Sequence, residues 1–404
     1  MLSVIRAENG YNVKRSEERV VYLDHAAATP LAPEVWEAMQ PYWMDCFYNP
    51  SAPYAPARAA RAAFEDARAR LAHVIGARPG NVTLTAGATE ANNLAFCAVE
   101  GQVLTDAIEH ESVLACAEAR GGAIVGVDTA GRVHAEDVRE ALTPQTELVS
   151  IELANGEIGT IQPVREISRI VADERMRRLE EGEKRPLLLH VDASQAAGHV
   201  SINVSTLGAD LMTLSAAKVY GPKQVGLLWH ADGVALRPLV LGGGQEGGMR
   251  SGTENVAGAV GFAKALELAE EMRAQESKRL RRLSQRLRQG LEARSGDVVF
   301  SGPTANKSRL PGLVHASFEG MEARRLVVAL ERRGVLVGTG SACAASKMRI
   351  SHVLEAIGLP KDVAQGSLRL TLGRSTTSED VDYALGAILD CVEEERNRMT
   401  AKGL

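Results

Sequence analysis

A lysine, an aspartate and a glycine turn are the residues of this chain whose types and spacing could do chemistry together. Lys218 closes the run Asp210-Leu-Met-Thr-Leu-Ser-Ala-Ala-Lys218 and precedes Val219-Tyr-Gly-Pro222. An apolar run long enough for a buried strand ends at Leu214 and small residues follow, which sets the amine at the lip of a core. Lost hydration there disfavours the ammonium and frees the amine for Schiff-base chemistry with carbonyls; alone, the same residue would read as a snorkelling surface lysine. Asp192 ends the apolar run Leu187-Leu-Leu-His-Val191 and needs a cation or several donors to be tolerated in that position. Ala86-Gly-Ala-Thr-Glu90 follows Val82-Thr-Leu-Thr85 and feeds a helical run, so its N–H groups and hydroxyl form an anion cradle, although Thr89 as a plain N-cap accounts for the same residues. An amine to trap an aldehyde, an acid to pair with a ring nitrogen and a phosphate cradle are the three parts that pyridoxal 5'-phosphate (PLP) requires. Asp192 would keep the ring nitrogen protonated and the ring an electron sink.

The elements that must position these groups read as α/β. The 404 residues, 45% apolar and 4% aromatic, suffice for one large core and a smaller one. From Asn81 onward, strand-length runs alternate with helical ones: Val82–Thr85, Gln102–Ile108, Ala123–Val127, Leu148–Leu153, Leu187–Val191, Leu211–Leu214 and Val225–Trp229. The alternation predicts a mostly parallel sheet with helices on both faces and ligands at the carboxyl ends of its strands. Helices are expected over Pro33–Trp43, Arg58–Ile75 and Val256–Ala293, with the proline-rich Tyr48–Pro56 as a connector. The last of these leads to strands near Leu313–Phe318, Val335–Val337 and Ser367–Leu372. A tail (1–19), a large domain (34–270) and a small one (20–33 with 271–404) follow.

Other features narrow the partners. A net charge of −5 gives no nucleic-acid footprint, and no run approaches a membrane span. Five scattered cysteines without a CxxC pair suggest neither a metal site nor a disulfide framework, and point to a reducing cytoplasm; Cys97 and Cys116 lie in apolar helical text expected to be core. The first 19 residues lack the apolar centre of a signal peptide. The charged run Asp173–Arg185 reads as a solvated helix end. Gly242, Gly244 and Gly247 spell a dinucleotide fingerprint, but no helix opens immediately after them and Pro238 interrupts the preceding run, so the match is rejected.

Taken together, the sequence resembles PLP enzymes of the aminotransferase class V fold (fold type I), and within them cysteine desulfurases of the group with a long mobile cysteine loop. The resemblance spans nearly the whole chain: Tyr22-Leu-Asp-His-Ala-Ala-Ala-Thr-Pro30, Ala86-Gly-Ala-Thr-Glu-Ala-Asn-Asn93, Glu109-His110, Ala154-Asn-Gly-Glu-Ile-Gly159, His190-Val-Asp-Ala-Ser-Gln195, Met249-Arg-Ser-Gly-Thr-Glu-Asn255, Gly340-Ser-Ala-Cys343 and Ser367-Leu-Arg-Leu-Thr-Leu-Gly-Arg374. It implies that Lys218 holds the cofactor's aldehyde, Asp192 pairs with the ring nitrogen, and Gln195 with Asn155 bonds the ring oxygen. His110 would stack on the ring and relay protons, Ala88, Thr89 and Ser215 would hold the phosphate, and Thr253 would reach in from the other subunit of a homodimer. Arg369 would grip the substrate carboxylate. Cys343, in the small-residue stretch Gly338–Ser346 that lets a backbone swing, would attack the sulfur of L-cysteine, keep it as a persulfide and release L-alanine. The sulfur would pass to acceptor proteins of iron–sulfur assembly or of tRNA or DNA thiolation.

Three departures from that pattern stand out. Ala217 replaces the histidine usual before the lysine, Gly247 replaces an arginine, and Gly156 replaces the second asparagine of Asn-Asn-Glu. Loss of the imidazole contact would weaken cofactor binding by about 1–3 kcal/mol. A degenerate PLP-fold scaffold or a selenocysteine lyase are the competing readings.

Overall fold

The computed structural model describes residues 19–340 and 350–402. The apolar runs become strands: β1 (Val21–Leu23), β2 (Val82–Thr85), β3 (Gln102–Asp106), β4 (Ala123–Val125), β5 (Thr146–Ser150), β6 (Leu188–Asp192), β7 (Leu211–Ser215), β8 (Gly226–His230), β9 (Val298–Phe300), β10 (Leu313–Phe318), β11 (Val335–Val337) and β12 (Ser367–Thr371). Seven of them form one sheet in the order β2-β8-β7-β6-β5-β3-β4. Only β8 runs against its neighbours; the other pairs are parallel. The carboxyl ends of β2, β7 and β6 therefore open on one edge, where a ligand of an open α/β sheet binds. β5 and β7 are buried throughout, which is why their sequences do not alternate polar and apolar residues.

A smaller layer stands beside this sheet. β10 pairs antiparallel with β12 and β9, and β1 pairs parallel with β11. Isolated bridges from Asp24 to Thr371 and from Gly338 to Arg369 tie the two small sheets together. The helix Val256–Ser295 serves both cores. Phe262, Ala263 and Leu266 pack in the core of the large sheet, whereas Leu280, Leu283, Leu287 and Leu291 pack with Val21, Leu23, Phe318 and Leu370.

Some local expectations shift. The helix expected over Pro33–Trp43 divides into Pro33–Met39 and Pro41–Met44, because the Pro41 ring removes an N–H the turn would need. The next helix begins at Ala55, earlier than expected, since Pro56 lies in the first turn where no intrahelical N–H bond is lost. β9 is short and only half-buried, and lacks a sequence signal. Cys97 and Cys116 are half-buried rather than core, while Cys391 is buried in the smaller core. Among the described residues, no helix is long and apolar enough to cross a membrane.

Candidate active site

Three strand ends build the floor of the site. β7 stops at Ser215, which is buried, and one helical turn, Ala216–Lys218, carries the chain to the lysine. Lys218 Nζ donates to the carbonyls of Ala26 and Ala27 at 2.7 and 2.8 Å. Burial pulls its pKa down to about 8; the Arg369 charge lowers it further, and Asp192 and Asp24 oppose. The sequence expectation of a dehydrated amine is met by the residue itself.

Asp192 ends β6 and belongs to a chain of buried side chains. Its Oδ1 accepts from Ser194 N at 2.9 Å and its Oδ2 from Asn92 Nδ2 at 2.8 Å. The same Asn92 amide reaches Ser112 Oγ at 2.9 Å, and Ser112 Oγ lies 2.8 Å from His110 Nδ1. His110 caps the helix Glu111–Glu118, with Nδ1 accepting from Ser112 N at 3.1 Å. That bond places the proton of a neutral ring on Nε2 and leaves the exposed imidazole face open. Beneath lie Asp106, Glu109 and Glu152, whose carboxyls burial pushes upward, Asp106 to about 7. Asn92, Ser112 and this carboxyl layer were not singled out from sequence. Asn92 stands inside a quoted motif, but only the fold aims it at Asp192.

The third strand end is the cradle. Gly87, at φ +112°, is the N-cap of the helix Ala88–Phe96, so Thr89 is not the cap but an exposed residue in its first turn. The first intrahelical bond runs from Ala91 N to Gly87 O, so the N–H groups of residues 88 to 90 precede the ladder and can donate to an anion. A Cβ on Gly226 of β8 would come within 2.6 Å of the Gly87 carbonyl carbon, so glycine there lets the turn lie down on the sheet. The residues present fit PLP: an anion cradle, a half-buried amine of lowered basicity and an aspartate at neighbouring strand ends are the partners of its phosphate, aldehyde and ring nitrogen.

The smaller layer supplies the facing wall. Arg369, on β12, has a side chain only 7% exposed. Its Nη2 donates to Asp24 Oδ1 at 2.8 Å and its Nη1 to Gly156 O at 3.3 Å. Gln195 Nε2 donates to Ala26 O at 3.0 Å. Asn155 differs from expectation: its Nδ2 donates to Ile108 O and Glu152 Oε1, and its Oδ1 accepts from Glu157 N and Ile158 N to hold the 155–159 turn, so its polar atoms are already engaged. Thr253 is exposed in the loop before the helix Val256–Ser295, away from the Lys218 floor in sequence and in element. Cys343 lies outside the described residues.

Two of the three departures have local reasons, while nothing among the described residues explains Ala217, whose carbonyl bonds any residue could make. An added Cβ at Gly156 would sit 2.8 Å from Gln195 Cδ and Nε2, so glycine here makes room for Gln195. Gly247 adopts φ +62°, which an arginine would occupy under strain. The preceding Glu246 turns inward onto Arg68 and Leu84 N. Ala217 contributes its carbonyl, which accepts from both Thr29 N and Thr29 Oγ1 at 3.1 and 2.9 Å.

Known proteins resemble this chain over most of its length. The curated "Cysteine desulfurase IscS" of Dictyoglomus turgidum is 41% identical over 391 residues, covering 94% of this chain and 96% of that protein. Among solved structures, one titled "NIFS-LIKE PROTEIN" superposes with a TM-score of 0.83 at 32% identity, covering 93% of this chain and 100% of the other. Another, titled "SspA in complex with cysteine", gives 0.73 at 32% identity over 87% and 99%. The family model described as Aminotransferase class-V matches residues 21–384, and the chain belongs to that family.

Proposed function

We infer that the chain is a PLP-dependent cysteine desulfurase that converts L-cysteine to L-alanine and passes the sulfur through a Cys343 persulfide to acceptor proteins. The observation that carries the reading is the meeting, on one sheet edge, of the Lys218 amine, Asp192 and the 88–90 cradle. The 41% identity to a curated desulfurase over nearly the whole chain supports the substrate.

When bound, PLP supplies an aldehyde for amines and a protonated ring that draws electrons from the α-carbon of the amino acid. Asp192, locked by Asn92 and Ser194, keeps a negative charge where the ring nitrogen must hold its proton. Backbone N–H groups of Ala88 and Thr89, with Ser215, take the phosphate; Thr253 joins them from a second copy of the chain in a homodimer. Gln195 would serve the ring oxygen alone, because Asn155 Nδ2 is committed to Ile108 O and Glu152 Oε1. Lys218, its basicity lowered by burial, would accept the α-proton and return it. His110 would lie against the ring and move protons at Nε2, while Arg369 would hold the substrate carboxylate. The Cys343 thiolate attacks the substrate sulfur: an S–S bond forms, the C–S bond breaks, and the carbon takes a proton to become alanine. The domain division at 34–270, with 20–33 and 271–404 as the smaller unit, belongs to the same reading. So do acceptors of iron–sulfur assembly or nucleic-acid thiolation.

Alanine release from L-cysteine by the PLP-loaded protein, run beside Cys343→Ser and Lys218→Ala, tests it. Wild type should give alanine with matching sulfane sulfur, and both variants should lose it. No alanine with excess PLP and reductant would sink the desulfurase reading, and activity restricted to selenocysteine that survives Cys343→Ser would replace it with a lyase.

A further inference from the structure

Arg369 is not an open fork awaiting a carboxylate. Asp24 Oδ1 already occupies Nη2 at 2.8 Å, and the Gly156 carbonyl stands at Nη1. Nε is buried and has no hydrogen-bond partner among the described residues. Both bidentate approaches, along the Nε edge and between the two Nη groups, use Nη2; Asp24 takes one of its two N–H groups, so an incoming carboxylate brings a second negative charge against Asp24 at that nitrogen. Backbone holds the pair together: Arg369 and Gly338 exchange N–H···O bonds at 2.7 and 3.0 Å, and a Cβ on Gly338 would lie 2.5 Å from Asp24 Oδ1. Asp24 itself opens the turn whose next carbonyls, Ala26 and Ala27, accept from Lys218.

We propose that Asp24 is an internal carboxylate that stands in for the substrate's on Arg369 and is displaced from Nη2 when an α-amino acid binds. This rests on the reading of Arg369 as the substrate-carboxylate residue. A guanidinium this buried is costly without a counter-ion, so Asp24 stabilises the empty site and binding exchanges one carboxylate for another. The exchange holds affinity for any α-carboxylate below what an unpaired Arg369 would give, and the product's carboxylate leaves against the same competitor. Asp24 is thus a specificity-tuning residue that touches the arginine rather than the reacting atoms.

The test is the affinity of the PLP-loaded enzyme for L-alanine, and for cysteamine as an amine lacking the carboxylate, by calorimetric titration. Asp24→Asn and the smaller Asp24→Ser should tighten L-alanine by about threefold to tenfold, the scale of one net hydrogen-bonded contact given up on binding, and leave cysteamine unchanged. Arg369→Lys should weaken L-alanine in the same series. Unchanged or weaker L-alanine binding in both Asp24 variants, with the Arg369→Lys loss intact, overturns the stand-in role alone. L-Alanine affinity indifferent to Arg369→Lys overturns the carboxylate reading of Arg369 and the stand-in role with it.

Discussion

The two walls of the site are held in different ways. On the large-sheet wall, Asp192, Asn92, Ser112 and His110 form a side-chain relay whose first three members are buried. On the side facing the small layer, Lys218 and Gln195, carried past the ends of β7 and β6, are tied to the carbonyls of Ala26 and Ala27, Thr29 to that of Ala217, and Arg369 to one carboxylate and one carbonyl. The first wall fixes charge and ring orientation, and any lost member leaves a buried polar atom unpaired. The second consists of contacts that can each be exchanged for a ligand atom at small cost. The contacts that set the ring nitrogen are thus rigid, and those that meet the cofactor's aldehyde and ring oxygen and the substrate's carboxylate are exchangeable.

The sharpest way to break that contrast is Asn92→Leu, which removes the central link of the rigid wall without touching any residue that reacts. Asp192 Oδ2 and Ser112 lose their donor, and alanine production should fall by about 100-fold, the scale of a misplaced catalytic group. The thermal midpoint should fall as well, by an amount corresponding to about 1–3 kcal/mol for an unsatisfied buried partner. Turnover within threefold of wild type, measured at saturating L-cysteine, would show that His110 and Asp192 hold their places without the relay.

Lys218 sits at the join, and its titration reports on burial there. Its folded pKa, about 8, is below the usual 10.5, so between these values the unfolded chain binds more protons than the native one. Stability contributed by this group therefore rises with pH across about 8 to 10.5 and is absent below that window, with a full span on the order of 3 kcal/mol. Denaturant unfolding of PLP-free wild type and Lys218→Met should show the wild type gaining on the variant over that range. Parallel pH curves would mean that the amine is hydrated.

The large sheet, its parallel sense and its ligand edge were legible because buried strands write continuous apolar runs, and so were Lys218 and Asp192 at their ends. What the sequence did not disclose depends on aim rather than pattern. Asn92 is one of two adjacent asparagines in a helix, and only the packing of that helix on β7 and β8 turns it toward Asp192. Asn155 looked like a cofactor donor, yet Ile108 O and Glu152 Oε1 claim its Nδ2, a competition invisible until the fold brings them together. Asp24 sat in a recognised motif without a partner, because Arg369 lies 345 residues away along the chain. β9 escaped because three half-buried residues carry too little pattern to rise above a loop.

The smallest expected effect tests the exchangeable wall. Gly156→Asn installs the family's usual residue where the new Cβ would lie 2.8 Å from the Gln195 amide. Gln195 is the far end of a flexible side chain, so it should swing off Ala26 O rather than force the backbone apart, at the cost of one ordinary hydrogen bond of about 1 kcal/mol. Lys218 retains Ala26 and Ala27 in any case, so turnover should hold within about twofold, while PLP dissociation from the dialysed enzyme, followed by absorbance, should quicken by about fivefold as the ring oxygen loses its donor. If cofactor retention instead improves, the asparagine has taken over the donor role, and Gly156 marks a site where this chain gave up one contact to place Gln195. Loss of folding would place the turn on the rigid side, since a wall built of exchangeable contacts absorbs one added side chain.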